Sequence, residues 1–61
     1  MYEKFERLLN ENHVTAYQVA KGTGIVTSTF YEWKTGKYTP KADKIKKIAD
    51  YFGVPLTYFY E

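Results

Sequence analysis

Thr27, Ser28, Tyr31 and Glu32 bring two alcohols, a phenol and a carboxylate into one short stretch of this chain. Such groups recognise polar edges by donating and accepting hydrogen bonds. They are not arranged for bond-breaking chemistry. Ser28 is the only serine and no base lies near it in the sequence; His13 is the only histidine and no carboxylate–hydroxyl arrangement accompanies it. With one histidine and no cysteine there is no ligand set for structural zinc. Gly22-Thr23-Gly24 lacks the strand and spacing of a nucleotide-binding loop. The chain reads as a non-enzyme with no cofactor, no metal and no small-molecule ligand. At about 100° per residue, Ser28, Tyr31, Glu32 and Thr35 centre on one side of a helix, with Val26, Phe30 and Trp33 on the other. A helix anchored by aromatics and presenting small polar groups suits insertion into the major groove of double-stranded DNA.

Composition is compatible with that reading. Sixty-one residues form one domain, residues 1–61, near the lower limit for a chain held by a single core. Aromatics are 20% of the residues, which offsets the small number of core positions with large rings. The absence of cysteine favours an intracellular, cytoplasmic setting, and no apolar run is long enough to span a membrane. The formal charge of +2 is unevenly spread. Through Trp33, Lys4, Arg7 and Lys21 face Glu3, Glu6, Glu11 and Glu32, a net of −1. Beyond it, Lys34, Lys37, Lys41, Lys44, Lys46 and Lys47 face Asp43, Asp50 and Glu61, a net of +3. A basic run starting where the polar helix ends fits a polyanion partner. Lys44, Lys46 and Lys47 read equally as a solvated helix face.

Five helical segments must position these groups, and none alternates with the period of a strand. The first, Met1 to Glu11, places Phe5, Leu8 and Leu9 on one face, with Glu3 and Arg7 paired on the surface. Asn12 and His13 break it, one of them left-handed. The second opens on the capping box Thr15-x-x-Gln18, turns Ala16, Val19 and Ala20 inward and stops near Gly22. Gly22, Thr23 and Gly24 make the turn, and Ile25 closes it against the core. The third runs from Thr27 to Thr35 and stops at Gly36. Val26 sits where a capping oxygen belongs, so either Thr27 caps or the first turn is loose. Thr39-Pro40 reads as cap and first residue of the fourth helix, and Lys41 reads equally as the residue that precedes its true start. That helix carries the stripe Ile45, Ile48, Ala49 and Phe52 to Gly53. Leu56 and Phe59 belong to a final short turn.

These pieces together resemble the helix-turn-helix of the phage-repressor and Cro-like (XRE) family of phage and bacterial regulators. Ala20 and Gly24 stand at its small-residue and glycine positions, with Val19, Ile25, Phe30 and Trp33 around them. Trp33-Lys34-Thr35-Gly36-Lys37-Tyr38-Thr39-Pro40 is similar to the family's W-E-N-G-K-x-x-P. Ile45-Lys46-Lys47-Ile48-Ala49-Asp50-Tyr51-Phe52-Gly53-Val54 is similar to its L-x-x-I-A-x-x-L-G-V, and Val14-Thr15 to the L-T that opens its second helix. The resemblance implies an all-α, five-helix lambda-repressor-like domain that acts as a transcriptional repressor, the third helix in the groove and the second across the backbone. It implies base-edge contacts from Thr27, Ser28 and Glu32, with Tyr31 beside them. Phosphate contacts fall to Lys34, Thr35, Lys37 and Tyr38, and to backbone N–H groups at Thr15 and Ala16. The chain departs from the family at Ala16 and Thr35, where many relatives carry glutamine and asparagine.

Two functions compete on this reading. One is a sequence-specific DNA-binding regulator. The other is a helical protein-interaction module, antirepressor-like or antitoxin-like, that kept the fold without reading DNA. The aromatic end, Leu56 to Tyr60, adds a third expectation. Leu56 and Phe59 share one side, so Tyr58 and Tyr60 leave aromatic surface for a weak homodimer.

Overall fold

A computed structural model describes all 61 residues. Helix α1 spans Tyr2–Asn12, α2 Ala16–Thr23, α3 Thr27–Lys34 and α4 Ala42–Phe52, and a 3₁₀ helix follows at Leu56–Tyr60. The fifth segment is therefore a tight 3₁₀ turn, not an α-helix, and there are no strands. His13 takes the left-handed conformation at the end of α1, with φ 54°. In α2 both halves of the capping box form: Thr15 Oγ1 accepts from the Gln18 N–H at 3.2 Å, and the Thr15 N–H donates to Gln18 Oε1 at 2.8 Å.

The core is a cluster of rings at the meeting of α1, α3 and α4. Phe5 is fully buried, stacks on Phe30 at 5.1 Å between centroids and lies 5.2 Å from Trp33. Tyr2 meets Trp33 edge-on at 5.3 Å. Phe52 of α4 reaches Phe5 at 6.3 Å. Leu8 of α1, Val19 and Ala20 of α2, Ile45, Ile48 and Ala49 of α4, Ile25 and Phe59 complete the buried apolar set. Each buried Phe, Leu, Ile or Val side chain among these contributes about 1.5–3 kcal/mol. Two rings of α3 bear on α1, so the helix cannot roll without opening the core.

Several expectations are corrected. Gly22 and Thr23 are the last residues of α2 and not a turn. The Thr23 hydroxyl donates back to the Val19 carbonyl at 2.8 Å and keeps the last turn helical. The whole reversal is left to Gly24, with φ 78°, where a side chain would strain the backbone. Val26 is not on the buried face: it is the N-cap of α3, has extended backbone and is 67% exposed. Thr27 is the first residue of the helix and does not cap it; no side chain does. Of the two starts left open for α4 the later one is taken: Pro40 is buried ahead of the helix, and Lys41 is its N-cap. Arg7 pairs with Glu11 at 3.9 Å instead of Glu3, whose carboxylate lies 3.0 Å from the N-terminal ammonium. Tyr58 is half-buried against the core with Lys4 Nζ 5.1 Å above its ring, so only Tyr60 remains an exposed aromatic at this end.

Candidate nucleic-acid interface

The outer side of α3 follows from what its inner side does. Phe30 and Trp33 are 2% and 4% exposed, which forces Ser28, Tyr31 and Glu32 outward, and all three are exposed. Thr27 is exposed at the first turn. With no side chain over the N-cap, the N–H groups of Thr27 and Ser28 stay unpaired along the helix axis. The groups expected to touch base edges therefore form one open face that runs from the first turn of the helix to Glu32.

Four of the expected residues converge in a second way. Ala16, Thr27, Tyr31 and Lys34 line a shallow hollow of about 210 Å³ between the start of α2 and the flank of α3, together with Tyr2 and Phe30. The methyl of Ala16 leaves that space open. Thr15 spends its backbone N–H on Gln18 Oε1, so that N–H is not free for a phosphate. The N–H groups of Ala16 and Tyr17, the first two residues of α2, have no partner in the helix and point out of its positive end. Tyr2 was not anticipated at this site. It belongs to α1, and only the packing of its ring on Trp33 carries it there. Burial, and secondarily the nearby Glu6 carboxylate, raise its phenol above the usual 10.0.

The cations sort into free and engaged. Lys34 and Lys37 are exposed and make no ion pair, and neither does Glu32. Lys46 is held by Asp50 at 2.9 and 3.1 Å, and Lys44 lies 5.8 Å above the ring of Tyr38. The fourth-helix lysines thus behave partly as a self-satisfied surface. Just past α3 the chain folds back on Glu32, whose carbonyl accepts from the N–H groups of Lys37 at 2.9 Å and Tyr38 at 3.3 Å. That closure holds Lys37 and Tyr38 beside the end of α3. Thr35 donates its hydroxyl to the Tyr31 and Glu32 carbonyls at 3.1 and 3.2 Å, which leaves it no proton for a phosphate.

A larger open trough, about 430 Å³, lies between α2 and α4 and is lined by Gly22, Thr23, Lys47, Asp50 and Tyr51. It shares no residue with the α3 face. No three His, Asp or Glu side chains converge to hold a metal, and no helix is long and apolar enough to cross a membrane.

Comparison with known proteins agrees with this geometry. Residues 4–57 match the family model of the Cro/C1-type HTH DNA-binding domain. Over 53 residues the chain is 30% identical to the cryptic phage CTXphi transcriptional repressor RstR of Vibrio cholerae. The alignment takes in 87% of this chain and 48% of that protein, so the chain spans about half the length of its curated relative. No solved structure matches.

Proposed function

Because the chain belongs to the Cro/C1-type helix-turn-helix DNA-binding domains, we propose that it is the DNA-reading part of a transcriptional repressor, with α3 lying in the major groove. One observation carries this: the polar face of α3 is turned outward by Phe30 and Trp33 and flanked by the unpaired Lys34 and Lys37. The relative of similar sequence is named as a transcriptional repressor. In this reading Thr27 and Ser28 donate to or accept from base edges, and Tyr31 packs on a pyrimidine or donates to the backbone. Glu32 accepts from a cytosine amino group, the base-edge donor its carboxylate suits. Lys34, Lys37 and Tyr38 hold phosphates on one side, and the Ala16 and Tyr17 N–H groups hold one on the other.

Recognition as a homodimer belongs to the same proposal, since regulators of this kind bind two half-sites about 34 Å apart. Tyr60, 53% exposed, supplies aromatic surface for a weak contact that DNA itself would reinforce. Titration of labelled random duplex at rising salt tests the reading. Binding should weaken linearly in log–log form, and Lys37→Ala should lower the slope by about one for every duplex alike. A folded chain that retains no duplex at low salt would instead be a protein-interaction module.

A further inference from the structure

Val26 breaks two local rules at once. It is apolar and β-branched at an N-cap, where a side-chain oxygen would stabilise the helix, and α3 has no other cap. It is also 67% exposed, more than any other large apolar side chain of the protein. Neither folding nor solubility accounts for an isopropyl group there. Its place does: it immediately precedes Thr27 and Ser28, at the end of the recognition helix whose residues approach base edges. Polar groups in the major groove need hydrogen-bonding partners, but one feature of the groove is apolar, the C5-methyl of thymine. A 5-methylcytosine presents the same methyl at the same place.

We propose that Val26 is a specificity-determining residue that packs on the C5-methyl of a pyrimidine, with Thr27 and Ser28 reading the neighbouring polar edges. The inference rests on α3 occupying the major groove. It also accounts for the missing cap, because a serine or aspartate at this position would stabilise the helix and present no hydrocarbon to the methyl.

The test starts from a duplex selected by the 61-residue chain out of a random pool. Each thymine is then replaced singly by deoxyuridine, which removes the methyl and nothing else. One thymine per half-site should lose about three- to sixfold in affinity, the worth of burying one methyl group. In Val26→Ser the same replacement should change affinity less than twofold. Cytosine at that position should gain a similar factor on C5-methylation for the wild type and not for Val26→Ser. Val26→Ser should melt no lower than wild type, because serine caps α3. Equal deoxyuridine sensitivity in both proteins, or none in either, would overturn the assignment while leaving DNA reading intact. A Val26→Ser protein that melts lower would overturn it as well, by showing that Val26 serves the fold. Failure to select any preferred duplex would remove the premise and the inference together.

Discussion

Adding one methyl group at Gly22 should destabilise this protein, although in most helices the same change helps. Gly22 is the next-to-last residue of α2, and replacing an interior helical glycine by alanine ordinarily gains about 1 kcal/mol. Here a Cβ would stand 2.8 Å from Cδ2 of Tyr51 and closer still to its Cε2. The ring, carried by α4, sets its Cδ2–Cε2 edge against the glycine and meets Phe52 edge-on at 5.0 Å. Tyr51 is 40% exposed, so it can swing outward, but only by giving up its covered face. Re-exposing on the order of 50–100 Å² costs about 1–2.5 kcal/mol, and the edge contact with Phe52 adds about 0.5–1.5 kcal/mol. Loss exceeds gain by about 0.5–3 kcal/mol, centred near 2, against a total stability of about 3–9 kcal/mol for a domain of this size. Thermal melts followed by far-UV circular dichroism should show Gly22→Ala lowered by roughly 5–15 °C. In the Tyr51→Ala background the same substitution should become stabilising by about 0.5–1 kcal/mol. Equal stabilisation in both backgrounds would refute the reasoning, because nothing would then hold the ring on Gly22.

Three further outcomes probe the frame of the site. Trp33→Ala removes a ring that is 4% exposed and touches both Tyr2 and Phe5, and should cost about 3–5 kcal/mol, leaving a chain with no cooperative melt or a greatly lowered one. Thr15→Ala deletes one half of the capping box and should cost about 1 kcal/mol in urea unfolding, with little effect on the core. Tyr2 supplies a pH dependence. Its phenol ionises less readily folded than unfolded, so its contribution is complete below the unfolded value and is lost as pH rises through the higher folded one. Urea midpoints taken from about pH 9 to about pH 11 should therefore fall less in Tyr2→Phe than in wild type.

The parts of this fold that were legible in the sequence are those fixed by neighbours along the chain. Thr15 and Gln18 form their capping box whatever the rest does, and Phe30 and Trp33 at helical spacing define the buried side of α3 and hence its polar side. What was not legible depends on partners distant in sequence or on backbone that leaves the helical lattice. Val26 falls on the inner side of a helical wheel, but an N-cap is extended, and ψ 136° carries it off the wheel into solvent. Gly22 reads as a turn residue because glycine weakens a helix; its reason for being there is Tyr51 on α4. Tyr2 gives no sign of reaching the start of α2, because that depends on the ring cluster around Phe5 and Trp33. Tyr58 reads as a free surface aromatic until the 3₁₀ turn lays it on the core under Lys4. For the site, the polar face of α3 and the lysines after it could be read directly. The hollow joining Ala16 to Thr27, Tyr31 and Lys34 could not, since it exists only through the crossing of two helices.

Glu32 offers the most direct test of the central claim that the outward face of α3 reads base pairs. Its carboxylate is exposed and unpaired, so Glu32→Gln changes an acceptor into a donor–acceptor amide without disturbing the core. The measurement is selection from a random duplex pool, run in parallel on wild type and variant, followed by titration of the preferred sequences. The account predicts a changed preference at one base pair per half-site, with discrimination shifted by about 1–3 kcal/mol and the other positions kept. The same ranking of sequences in both proteins, with affinity altered uniformly, would contradict it and place Glu32 outside the groove.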